Sequence, residues 1–182
     1  MPSDPGEESP SAADVPLRIL PVDDHQWEVV AWLWQAFRHD LAPVVRGLPY
    51  ADGRYSRREL DAFPSPDGVG YLAWRPHPNT TEDAPIGFAL VGGLLADRRT
   101  VAGFWVAPAA RRGGTGTALA LDVLARHPGA WQIAFQHDNA AAGAFWRAIA
   151  DEAFGPDRWI ETERPVPGRP GVPPDHFIET VA

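Results

Sequence analysis

The chain has 182 residues, 45% of them hydrophobic and 22% charged, with a formal net charge of −8, a balance that supports one buried core and excludes a low-complexity polymer. It contains no cysteine, so disulfide scaffolds, thiolate metal sites and cysteine nucleophiles are ruled out. All 16 basic residues are arginine; without lysine there is no Walker-type phosphate loop and no Schiff-base chemistry, and the acidic balance argues against a nucleic-acid partner.

Residues 1–15 are rich in Ser, Pro, Ala and acid and are expected to form a disordered leader ahead of a single domain over 16–182. The stretch is acidic where a secretory signal would be basic and then apolar. No apolar run approaches the roughly 20 residues of a membrane span, so a cytoplasmic protein with no membrane partner is expected. Leu17–Leu20 alternates as a short strand, and Asp23 with Gln26 has the spacing of a capping box. The following helix, to about Leu41, carries Trp27, Val30, Trp34, Phe37 and Leu41 on one face, while Trp32 points elsewhere. Residues 42–67 read as a loop with a short helix around Arg57–Ala62. Runs at 68–74, Ile86–Leu94 and Thr100–Val106 then read as an antiparallel meander closed by Pro108. A glycine-rich turn leads into a helix over Thr117–Arg126, stopped at His127-Pro128-Gly129. Trp131–Phe135 alternates as a strand, Asn139–Ala150 is helical, and strands at Trp159–Glu163 and His176–Val181 are joined by a stiff proline-rich segment. The order predicts an α/β (α+β) fold, with a mixed, mostly antiparallel sheet of about six to seven strands flanked by helices.

The turn Arg111-Arg112-Gly113-Gly114-Thr115-Gly116-Thr117 carries the most chemical information. Glycines keep side chains away from the backbone, so successive N–H groups can point at an anion, reinforced by the positive end of the next helix. Two arginines at the mouth add charge-assisted donors for phosphate oxygens. A dinucleotide fingerprint does not fit, because Leu119 stands where its third glycine or alanine belongs and the turn follows the meander rather than the first strand. A plain strand-to-helix turn is the alternative. Arg111, Gly114 and Gly116 resemble the R-x-x-G-x-G acyl-CoA motif of the GCN5-related N-acetyltransferases, the GNAT superfamily. Asn139, Ala142, Phe145 and Trp146 resemble that family's second signature, and the order of elements agrees over most of the chain.

The resemblance implies a GNAT-like fold and acetyl-CoA as co-substrate. Trp105 and Val106 would offer unpaired backbone groups to the pantetheine arm, and Arg111, Arg112, Gly113, Gly114, Thr115, Gly116 and Thr117 would hold the pyrophosphate. Asn139, Phe145 and Trp146 would flank the cofactor, although Asn139 is also a good helix N-cap. The implied reaction is acetyl transfer to a primary amine of a small molecule or peptide, by direct attack in a ternary complex. A backbone N–H near Val106 would serve as oxyanion donor. Members of the family are often homodimers, and no stretch here marks an interface.

The catalytic pattern departs from the family's. An ammonium with a pKa of about 10.4 must lose its proton before it attacks. The strand glutamate and helix tyrosine that many members carry are replaced by Gly103 and Trp146. His137 and Asp138, between the fifth strand and the Asn139 helix, are the candidates for proton transfer; His39, Asp40, Tyr50 and Tyr55 could enter from the first helix and its loop. A non-catalytic acyl-CoA-binding or regulatory module is the alternative function. The histidines at 25, 39, 77, 127, 137 and 176 show no local ligand spacing, so no metal is expected.

Overall fold

The computed structural model describes residues 16–181, and the expected leader over 1–15 lies outside them. The elements are β1 (Arg18–Pro21), α1 (Trp27–Val45), β2 (Gly68–Pro76), β3 (Asp83–Gly92), β4 (Arg98–Val106), α2 (Thr115–Arg126), β5 (Ala130–Phe135), α3 (Ala140–Phe154), β6 (Trp159–Arg164) and β7 (Asp175–Thr180). The strands form one seven-stranded sheet in the order β1-β2-β3-β4-β5-β7-β6. Neighbours are antiparallel except β4 and β5, which run parallel. This is the mixed, helix-flanked sheet that the order of elements predicts.

Strand periodicity divides the core in two. Successive side chains face opposite sides of a sheet, so Phe88 and Leu90 of β3 point to α1 while Ala89 and Val91 point to α2 and α3. On the first face Val30 and Trp34 of α1 meet Leu72, Phe88, Leu90 and Trp105. Trp34 is buried, and its indole N–H donates to Ser56 O at 2.8 Å, so no polar atom of that side chain is stranded. On the second face Leu119, Val123 and Ile149 cover Ile133, Phe135 and Ile178. Trp32 lies on the outer side of α1, 69% exposed. No helix among the described residues is long and apolar enough to cross a membrane.

Both ends of α1, the start of α2 and the end of α3 differ from the sequence expectation. α1 runs past Leu41 to Val45 with Pro43 inside its last turn. A proline there removes one hydrogen bond, and the turn is closed instead by Arg46 at φ 52° and by Gly47 N–H to Ala42 O at 3.0 Å. α2 begins at Thr115 because Gly114, at φ 77°, supplies the left-handed N-cap. α3 continues to Phe154 and stops where Gly155 takes φ 94°. The Asp23–Gln26 pair does not cap the helix: Asp23 N–H donates to Gln26 Oε1 at 3.2 Å, but Asp23 Oδ1 accepts from His25 N–H, and α1 starts only at Trp27 with Gln26 as an N-cap that makes no side-chain cap bond.

Candidate functional site

The parallel pair β4–β5 is joined only at Arg98, Thr100 and the residue between them, opposite Ala130–Gln132. Ala102 is then skipped in the β3–β4 register, which matches Val91 with Val101 and Leu90 with Gly103. A bulge of this kind increases twist and bends its strand. Beyond it β4 pairs with β3 alone, while β5 continues with β7. The sheet therefore opens into a wedge at the C-terminal ends of its two parallel strands, with the edge of β4 free on that side.

A cleft of about 640 Å³ occupies this opening. Trp105, Val106, Arg111, Arg112, Gly114, Gly116, Thr117, Asn139, Phe145 and Trp146 all line it. Gly113 and Thr115 do not: Thr115 is fully buried, and its Oγ1 has no hydrogen-bond partner. α1 contributes Phe37, Asp40, Leu41 and Val44 as the facing wall. Phe37 and Leu41 belong to the apolar face of the helix read from the sequence, and the signal for a wall position, a helix crossing the free edge of β4, is tertiary.

The turn into α2 is built for close approach to the backbone. Arg112 and Gly114 both take positive φ, 64° and 77°. The first intrahelical bond runs from Ala118 N–H to Gly114 O at 2.9 Å, so the N–H groups of Thr115, Gly116 and Thr117 precede it at the positive end of the helix. A Cβ added to Gly113 or Gly114 would meet nothing within 4 Å. These glycines thus border open space and are not required for packing. A Cβ at Gly116 would touch the Phe145 ring at 3.5 Å.

Charged groups close one end of the cleft. Arg111 donates from Nε to Val106 O at 2.8 Å and from Nη2 to Asp40, and its guanidinium lies 5.9 Å from the Trp105 ring centre. Trp105 Nε1 also donates to Asp40 Oδ2, at 2.9 Å. Burial pushes the Asp40 carboxyl up, but the hydrogen bonds from Trp105 and Arg111 and the arginine charge outweigh it and hold the group below the usual carboxylate range. Ala107 N–H is taken by Ile86 O at 2.8 Å. On the far wall Asn139 caps α3, its Oδ1 accepting from Ala142 N–H at 3.2 Å, and the residue also lines the cleft. Phe104, Phe145 and Trp146 form an aromatic triad with centroid separations of 5.5, 5.0 and 4.9 Å.

The side chains expected to move the proton lie elsewhere. His137 and Asp138 are not part of the cleft lining. A turn closed by Asn139 N–H to Gln136 O sends the His137 ring toward β7, where Nδ1 lies 3.0 Å from His176 Nε2. His39 and Tyr55 face one another at 6.3 Å, and with Tyr50 they too are outside the lining. Gly103 faces α1: a Cβ there would meet Trp34 Cζ3 at 3.0 Å and Phe88 Cε2 at 3.3 Å. Among the described residues, Asp40 is the one carboxylate on the cleft wall.

The fold and the site together invite comparison with known proteins. Among curated proteins none matches the chain. Among solved structures, a domain from Methanocaldococcus jannaschii aligns with a TM-score of 0.60 at 12% identity, covering 92% of this chain and 99% of that one. The ribosomal-protein-S18-alanine N-acetyltransferase of Escherichia coli aligns at 0.57 with 16% identity, over 92% and 96%. NAA60 of Arabidopsis thaliana in complex with acetyl-CoA aligns at 0.59 with 12% identity, over 90% and 97%. At these identities the likeness is one of fold. The family model described as Acetyltransferase (GNAT) family matches residues 27–150, a span that runs from the first turn of α1 through the wedge and the glycine turn to the aromatic wall of α3, and the chain therefore belongs to the GNAT family of acetyltransferases.

Proposed function

We propose that this chain transfers an acetyl group from acetyl-CoA to a primary amine of a small molecule or peptide, with both substrates bound at once. The carrying observation is the continuity of the wedge with the N-terminus of α2. One slot offers the free edge of β4 for amide groups, and at its mouth sit bare N–H groups with Arg112, while Arg111 is held by Val106 O and Asp40. A pantetheine arm ending in a pyrophosphate has that sequence of needs. Two local features suit that ligand. Gly113 and Gly114 leave room for phosphate against the backbone. Val106 O carries Arg111 Nε, and a carbonyl with two lone pairs can accept a second donor.

Acetyl-CoA supplies an activated thioester, and the remaining work falls to the chain. Phe104, Phe145 and Trp146 give the slot an apolar wall that excludes water from the reacting end. Asp40 reaches the cleft from α1 beside Trp105 and Arg111. We assign it, in place of His137 and Asp138, the task of drawing in the acceptor ammonium as a fixed negative charge, the ammonium proton passing to solvent before attack. In the transfer itself the amine nitrogen bonds to the acetyl carbon as the carbon–sulfur bond breaks, and the sulfur leaves as thiolate to be protonated from solvent. The acceptor approaches between the α1 end and the proline-rich β6–β7 connection, which are tied together by Arg169 Nη2 donating to Val45 O at 3.1 Å.

The test is release of free CoA thiol from acetyl-CoA across a panel of small amines and peptide N-termini. Turnover with at least one amine, reduced in Asp40→Asn, is the expected result. Tight acetyl-CoA binding with no thiol release on any acceptor would instead favour a non-catalytic acyl-CoA module, the reading suggested by Gly103 and Trp146.

A further inference from the structure

Away from the cleft, the last three strands and the β5–α3 turn assemble a second group of side chains that acetyl transfer does not use. Glu163 of β6 pairs in register with His176 of β7, and His137 follows the end of β5. His137 Nδ1 lies 3.0 Å from His176 Nε2, and Glu163 Oε1 lies 3.9 Å from the same nitrogen. One donor atom from each of the three falls within 4.8 Å of the others. We propose that His137, His176 and Glu163 form a binding site for a divalent metal ion of the zinc type, with water in the fourth position.

Three features of the chain carry this. The donors are two imidazole nitrogens and a carboxylate oxygen, a set that suits zinc and leaves one position open. Their spacing is already close: metal–nitrogen bonds of about 2.0–2.1 Å place tetrahedral ligands about 3.3 Å apart, so His137 and His176 need only small shifts and the exposed Glu163 carboxylate has room to swing inward. The surroundings are built to present His176. Its Nδ1 lies 2.6 Å from Glu161 Oε1, and Glu161 is gripped by Arg147 through Nε at 2.7 Å and Nη2 at 2.8 Å. The His176 ring is stacked on Phe135 at 5.1 Å and 7°. A carboxylate on Nδ1 fixes the proton there and leaves the Nε2 lone pair for a metal, the arrangement that supports ligating histidines in general. The site would tie the β6–β7 hairpin to the turn that ends in Asn139, which caps α3 and lines the cleft. No sequence pattern announces it, because His137 and His176 are distant along the chain and meet only across the β5–β7 pair.

The test is calorimetric titration of Zn²⁺ alone into the full chain, made without a histidine tag and treated with chelator, with the same protein loaded with Co²⁺ for its visible spectrum. The expected result is one equivalent bound at micromolar affinity and a tetrahedral Co²⁺ absorption. His137→Ala, an exposed position whose loss leaves the fold intact, should weaken binding about 100-fold, and Glu161→Gln, acting through His176, about 10-fold. His77→Ala should change nothing. Absence of binding at 100-micromolar Zn²⁺ (on the order of a weak surface site), or affinity unchanged in His137→Ala, would overturn the proposal.

Discussion

At Asp40 burial and hydrogen bonding oppose each other, and hydrogen bonding wins. Burial favours the neutral acid, while Trp105, Arg111 and the arginine charge favour the carboxylate. A carboxyl lowered in the fold adds stability above its ordinary range, and that stability is lost as pH falls through its lowered value. At any pH where the enzyme would work, Asp40 is therefore already ionised, and it has no titration of its own near neutrality. A histidine base would impose an inflection near pH 6.5. We predict instead that kcat/KM rises with pH as the acceptor amine deprotonates, with no step between pH 6 and 7, and that Asp40→Asn lowers kcat/KM by about 100-fold. Rates of thiol release over pH 6 to 9 check both; an inflection near 6.5 that vanishes in His137→Ala would return proton transfer to His137. At this scale the sequence marked Arg111, Gly114, Gly116, Asn139, Phe145 and Trp146, which do meet in one cleft. His137 lies outside that lining for a local reason: adjacent residues leaving a strand point to opposite sides, and whether a given ring turns to the cleft or to β7 depends on a turn that spacing does not encode.

Among the elements, β4 shows how packing and chemistry compete for one position. Gly103 is a glycine because Trp34 of α1, with Phe88 and Leu90, fills the space a side chain would need, at 3.0, 3.3 and 3.4 Å from an added Cβ. The strand glutamate of many family members has no place to stand here. Restoring it would overpack this face and bury a carboxylate among aromatic rings, each of which costs about 1–3 kcal/mol or more. Gly103→Glu should therefore melt well below the parent chain and gain no turnover, as thermal unfolding and thiol release would show; a variant with unchanged melting temperature and faster turnover would refute this account of β4. Helix ends were the least legible elements. The sequence reading ends the helix at about Leu41, yet α1 carries Val44 past Pro43 onto the cleft wall, since one lost hydrogen bond near a C-terminus is a small penalty beside the apolar contact made.

For the whole molecule, the apolar runs showed the antiparallel β2–β3–β4 meander, but not how the strands after it are ordered. β5 pairs with β7 and not β6, and the chain must cross over to achieve it. The decisive feature, the parting of β4 from β5, follows from that crossing and from a bulge at Ala102. It is a property of two separated segments and is silent in either alone. The central claim is that this opening, with the glycine turn at its mouth, receives acetyl-CoA. Gly114→Asp probes it most directly, because aspartate tolerates positive φ better than most residues and its Cβ would meet nothing within 4 Å, so the fold is preserved while a negative charge enters the anion site. Calorimetric titration of acetyl-CoA should show one-to-one binding to the parent chain and affinity weakened about 10-fold or more in Gly114→Asp, whose melting temperature stays close to the parent's. Equal affinity in the two proteins, or no heat of binding in the parent, would contradict the account.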